Sequence, residues 1–119
     1  MQFVLMIYQG TTPLPGSDAW DALSEPDQQT IYAEYGALTQ DPAITGGPPL
    51  GLPADATTVR VVDGAPTTEV GPYLSPAQAV GGFLVVEADD LASAVDIAAR
   101  IPAARLGGAV EVRPVATYW

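Results

Sequence analysis

Two stretches of this chain are apolar and β-prone on both faces, and each is followed by a capped helix signal. The first runs from Gln2 to Gln9, and the second is Phe83-Leu84-Val85-Val86-Glu87. A strand that is apolar on both faces must be covered on both, so the two runs predict central strands of one sheet. After the first, Ser24-Glu25-Pro26-Asp27 supplies a helix start. Ser24 caps, Pro26 suits the first turn, and Asp27 faces the positive helix end. The spacing predicts a helix to about Thr39 with Ile31, Tyr35 and Leu38 on one stripe, stopped by Asp41-Pro42. Ala19, Trp20 and Leu23 predict a preceding helical turn. After the second strand, Asp89-Asp90 caps a helix whose expected apolar stripe is Leu91, Ala94, Val95 and Ala98, ending at Arg100-Ile101-Pro102.

Between these units the chain carries its clearest hairpin signal. Thr57-Thr58-Val59-Arg60-Val61-Val62 is β-branched and alternating, Asp63-Gly64 turns it, and Thr67-Thr68-Glu69-Val70 returns. Prolines and glycines between residues 44 and 51 leave room for one short edge strand. Gly71-Pro72-Tyr73 leads out of the hairpin, and Ser75-Pro76-Ala77-Gln78 reads as a brief helical turn. Residues 109–115 form the last strand, and Tyr118 and Trp119 add aromatic weight that is expected to pack. The order β-α-β, hairpin, β-α-β predicts an α+β, ferredoxin-like fold with both helices on one face of an antiparallel sheet. At 119 residues the whole chain, 1–119, is one domain. Its other sheet face is bare, and a two-fold homodimer is the expected way to cover it.

The formal net charge is −10, and the only cations are Arg60, Arg100, Arg105 and Arg113. Four scattered arginines make no basic stripe, so neither nucleic acid nor an anionic membrane surface is an expected partner. The opening apolar run is too short to span a membrane and lacks a basic flank, which makes a cytoplasmic location the default. Histidine, cysteine and lysine are absent. That excludes imidazole bases, thiolates, disulfides, Schiff bases and soft-metal sites. No acidic motif has the spacing of a calcium loop, and no cofactor or metal is expected.

The polar groups left for a site are chiefly phenols. Tyr8 ends the first strand, Tyr32 and Tyr35 lie one turn apart on the first long helix, and Tyr73 follows a Gly-Pro turn. A phenol buries its ring and keeps a polar tip, which suits orienting a small aromatic or carbonyl ligand; the alternative is an amphipathic residue at the edge of the core. Arg60 and Arg113 can fork onto a ligand carboxylate or simply pair with the surplus acids. Asp63 reads as the hairpin turn residue.

The second half resembles the YCII-related superfamily, in its DGPF branch. The resemblance rests on residues 57–61 with Asp63-Gly64, on Gly71-Pro72-Tyr73 and Gly81-Gly82-Phe83, on Asp90-Leu91 with Ala94, and on residues 99–105 and 108–115. It covers roughly residues 57–115, with support from Met6-Ile7-Tyr8 and Tyr35-Gly36. It implies a dimeric α+β barrel with a pocket between sheet and helices. Related folds include muconolactone-isomerase-like proteins and a dehydrochlorinase, and members accompany extracytoplasmic-function sigma factors. The family signature Asp-Gly-Pro-Phe reads Val70-Gly71-Pro72-Tyr73 here, and the resemblance puts Tyr35 about where a proposed family histidine falls. Glu69 neighbours the lost acid but is one residue out of register, on the opposite strand face unless a bulge intervenes.

Three readings follow. In the first, favoured by the missing histidine and aspartate, the domain is a small-molecule-binding or accessory module. Tyr8, Tyr32, Arg60, Glu69, Val70, Gly71, Pro72 and Arg113 are then the candidate ligand contacts. In the second it is a cofactor-independent isomerase, lyase or cyclase acting on a small hydrophobic or aromatic substrate, with Tyr35 or Tyr73 as acid and a carboxylate as base. In the third, implied by the resemblance alone, its partner is a sigma factor.

Overall fold

A computed structural model describes residues 1–118 of the chain. Trp119 lies outside the described residues. Strand β1 (Gln2–Tyr8) alternates between two environments: Phe3, Leu5 and Ile7 are buried, while Val4, Met6 and Tyr8 are half-buried on the other side of the pleat. It is central, as its two apolar faces require. On one side it pairs antiparallel with β5 (Val80–Glu87), and on the other with β6 (Ala109–Pro114). The short edge strand β2 (Ile44–Gly46) completes the sheet in the order β2-β5-β1-β6. That order, with every neighbour antiparallel, is the split β-α-β pattern of a ferredoxin-like fold.

The helices begin where local chemistry starts them. Ser17 caps the single turn α1 (Asp18–Asp21), which buries Trp20. In α2 (Glu25–Thr39) the Ser24 hydroxyl accepts the Asp27 N–H at 3.2 Å, Pro26 sits in the first turn, and Ile31 and Leu38 are buried. In α3 (Leu91–Ala99) the Asp90 carboxylate accepts the Ser93 N–H at 2.8 Å. The face that α3 buries is not the expected stripe. Ala94, Ile97 and Ala98 go inside with Ile101, while Leu91 and Val95 are 57% and 46% exposed. The apolar arc of this helix is wider than the sheet can cover. The alanine flank lets the helix backbone approach closely, and that leaves Leu91 and Val95 outside.

Two ion pairs tie the helical layer together. Arg100, capping α3, reaches Asp41 just beyond α2 at 2.5 Å. Arg105 forks onto both carboxylate oxygens of Glu34. Each arginine holds its partner carboxyl below the ordinary range by direct hydrogen bonding.

The hairpin is a separate two-stranded sheet of β3 (Thr57–Val62) and β4 (Ala65–Val70). Asp63 and Gly64 take φ of 49° and 79°, the left-handed pair that a two-residue hairpin turn needs. Val59 pairs with Thr68, Val61 with Pro66 and Thr57 with Val70, which places Val59, Val61 and Val70 on one exposed face. Residues 75–78 make one hydrogen-bonded turn, not a helix. Tyr118 stays largely exposed. Among the described residues no helix is long and apolar enough to cross a membrane.

The side of α3 that faces inward has a direct test. Ile101 is fully buried, so Ile101→Ala is expected to cost about 2–5 kcal/mol of stability in urea denaturation. Leu91→Ala, on the exposed flank, is expected to stay within about 0.5 kcal/mol.

Candidate functional site

At one end of the sheet β1 and β5 fall out of step. Ile7 faces Gly82 and Tyr8 faces Val80, so Gly81 has no partner on β1. The bulge opens a gap, and the side chain of Gln9 occupies it. A Cβ built on Gly81 would lie 2.3 Å from Gln9 Cγ, closer than any real contact, so only glycine leaves room for this glutamine. By alternation from Ile7, Gln9 points to the helical side of the sheet.

There it borders a cleft of about 920 Å³. The floor is Ile7, Gly82 and Leu84 of the sheet; one wall is Tyr32, Tyr35 and Leu38 of α2. The opposite wall is an apolar strap, residues 47–53, that leaves β2 as Gly-Pro-Pro-Leu-Gly-Leu-Pro. No charged side chain lines the cleft among the described residues. The Thr39 and Thr45 hydroxyls donate to the backbone carbonyls of Gly36 and Val85. Tyr32 is half-exposed, its ring set edge-on to Trp20 at 5.2 Å between centroids.

Tyr35 and Gln9 are the polar features of the interior. Burial pushes the Tyr35 hydroxyl above the ordinary phenol value; a hydrogen bond with the Gln9 side chain opposes this, and the nearby Glu34 charge adds to the rise. The phenol is therefore protonated at neutral pH and available as a donor. Gln9 Oε1 is shut off from solvent and has no hydrogen-bond partner, a condition shared only with Thr12 Oγ1 among the described residues. A buried carbonyl left unpaired costs about 1–3 kcal/mol. Thr12 does not line the cleft; Gln9 does.

The expected site residues fall in separate places. Tyr32 and Tyr35 share the cleft. Tyr73, 75% exposed, and Pro72 border a second hollow of about 440 Å³, and the two hollows meet along residues 50–53. Gly71 is pinned between Ala56 and Thr58, its N–H donating to the Ala56 carbonyl and its carbonyl accepting the Thr58 hydroxyl, both at 2.7 Å. Val70, 90% exposed, Glu69 and Arg60 lie on the hairpin away from both hollows. Glu69 faces Thr58, on the opposite side of the ribbon from Val70, so no bulge restores it to the position of the signature acid. Tyr8 lies on the far side of the sheet, where its hydroxyl donates to Glu111 at 3.2 Å. That hydrogen bond, some burial and the Glu111 charge raise the Tyr8 phenol, against a smaller opposing pull from Arg113. Neither Arg60 nor Arg113 forms an ion pair among the described residues. No group of three or more acids stands close enough to hold a metal ion there.

Gln9 is the functional candidate that sequence reasoning passed over. Its only signal was the doublet Gly81-Gly82 ahead of an apolar strand, since an isolated glycine in a strand marks a bulge or a close approach.

A family model for the YCII-related domain matches residues 1–118. The chain belongs to that family. The match extends well beyond residues 57–115, where the recognisable motifs are concentrated. Among solved structures, this YCII-related domain is similar to 5-chloro-2-hydroxyhydroquinone dehydrochlorinase from Burkholderia phenoliruptrix AC1100, solved in complex with 2,5-dihydroxybenzoquinone. The two share 18% identity over 98% of this chain and 94% of that one, with a TM-score of 0.46. No curated protein matches the sequence.

The dependence of Gln9 on Gly81 can be measured. Gly81→Ala is expected to destabilise the domain by about 1–3 kcal/mol through overpacking against Gln9. Adding Gln9→Ala to that variant is expected to restore most of the loss, a non-additivity that equilibrium denaturation of the two single variants and the double variant reads directly.

Proposed function

We propose that this YCII-related domain binds a small, largely apolar molecule in the cleft between α2, the sheet and the 47–53 strap. The observation that carries the reading is a cavity of about 920 Å³ with an uncharged lining, bordered by Tyr35 and Gln9. Ligand sites are typically concave and mostly apolar, about 300–1,000 Å³ in size, with a few placed polar groups. Proton-transfer chemistry would need a base beside the Tyr35 acid. No carboxylate lines the cleft, and Glu34, next to Tyr35 in the chain, is held by Arg105. The geometry therefore favours binding over catalysis.

The neutral dye Nile red is a suitable probe, since it fluoresces on entering apolar sites. It is expected to saturate at one molecule per chain. Thr39→Trp, placed at the end of α2 where the threonine hydroxyl bonds only its own helix, is expected to weaken that binding by about tenfold or more by filling the cleft, with the thermal midpoint unchanged. Equal affinity in the two proteins would rule this reading out.

A second reading concerns assembly, and we propose a two-fold homodimer built on the outer face of the sheet. Val4, Met6, Phe83 and Val85 form an apolar patch there, on the face away from the helices, and all four are only half-covered. The hairpin, a two-stranded ribbon with Val59, Val61 and Val70 exposed, is marginal by itself and gains stability by lying on a neighbour. One patch meeting its own copy gives a closed, self-complementary contact. Light scattering after size exclusion is expected to give twice the chain mass for the native protein and the single-chain mass for Met6→Asp. A stable native monomer at micromolar concentration would overturn the dimer.

A further inference from the structure

We infer that the cleft selects a neutral, hydroxyl-bearing molecule with an apolar body, and that Gln9 is the residue that reads the hydroxyl. The inference rests on the reading above that the cleft binds a small molecule, and it narrows the chemical class of that ligand.

Charge is the first restriction. All four cations are accounted for elsewhere: Arg100 is on Asp41, Arg105 on Glu34, Arg60 on the hairpin and Arg113 on the far face of the sheet. A carboxylate or phosphate entering the cleft would lose its water and find no counter-charge, in a chain whose formal net charge is −10. A cation fares no better, because no acid lines the cleft either. A neutral ligand avoids both costs.

Hydrogen bonding is the second restriction. The Thr39 and Thr45 hydroxyls are already committed to backbone carbonyls. What the interior offers is one acceptor without a partner, Gln9 Oε1, beside one protonated donor, the Tyr35 hydroxyl. The last torsion of a glutamine is broad and soft, so the amide can turn its oxygen toward an incoming donor. A single hydroxyl both donates and accepts. It can donate to Gln9 Oε1 and accept from Tyr35, satisfying the orphaned carbonyl and the phenol together. An ether offers only an acceptor and leaves Gln9 Oε1 unpaired. The bulge at Gly81 is what brings the acceptor to this place, since a Cβ there would displace Gln9.

The experiment uses the intact chain at pH 7 and three probes with the same apolar body: 2-naphthol, 2-methoxynaphthalene and 2-naphthoate, each titrated by calorimetry. The alcohol is expected to bind roughly tenfold or more tighter than the ether, because a buried acceptor left unpaired is penalised. The anion is expected to be the weakest of the three. Gln9→Leu is expected to abolish the preference for alcohol over ether while leaving the affinity for the ether within about twofold. Gln9→Met, close in length to glutamine, repeats the test should the leucine variant fail to fold. If alcohol and ether bind equally to the native protein, and Thr39→Trp weakens both, the cleft binds small molecules but this inference is wrong. Tightest binding by 2-naphthoate, or an alcohol preference that survives the loss of Gln9, also overturns it. If none of the three binds while Nile red still does, this inference is wrong and the binding reading stands; if Nile red fails as well, both fall.

Discussion

Everything in this domain hangs on the pairing of β1 with two neighbours at once. The strand is hydrogen-bonded along both edges, to β5 and to β6, and Leu5 on β1 and Val86 on β5 are fully buried beneath the helices. Even its first residues are used: the Met1 terminal amine donates to the Ala88 carbonyl, and the Gln2 carbonyl accepts the Val115 N–H. A strand so held cannot slide, because a slip of one residue would turn Phe3, Leu5 and Ile7 to the wrong face. The pairing with β5 nevertheless breaks step at one point, after Ile7. The unpaired Gly81 falls there, and the mismatch is what shapes the candidate site.

The helical layer is fastened differently. Apolar contact places α3 through its alanine flank, while two arginines join the end of α3 and the turn after it to Asp41, two residues past α2, and to Glu34 within α2. These pairs are partly exposed and individually modest contributors to stability. Their consequence for the site is indirect. By engaging Glu34, Arg105 removes from α2 the one carboxylate adjacent to Tyr35, leaving a phenol in an uncharged cleft. The chain has no histidine either, so among the described residues neither an imidazole nor a free carboxylate stands beside this phenol.

Much of the fold was legible in the residues. The run from Gln2 to Gln9 required a central strand, Ser24 and Asp90 capped helices, and Asp63-Gly64 turned a hairpin, because each signal acts within a few residues. The buried side of α3 was not legible, since Leu91, Ala94, Val95, Ile97, Ala98 and Ile101 form one broad apolar arc and only the shape of the sheet chooses which part is covered. Tyr35 was identifiable as a phenol on the inner stripe of α2, where it is partly buried. That Tyr73 lines a different hollow was not, because the division depends on the strap from 47 to 53, whose path no local rule dictates.

The amino-acid sequence by itself determined the secondary elements, the ferredoxin-like order and the absence of imidazole, thiol and amine chemistry, since these follow from composition and from neighbours along the chain. Only the tertiary structure decided that Gln9 enters the site, that Arg105 chooses Glu34, and that Tyr8 faces away from Tyr35. Each of those outcomes depends on register or packing between segments far apart in the chain. A bulge at Gly81 has meaning for Gln9 only once β1 and β5 lie side by side.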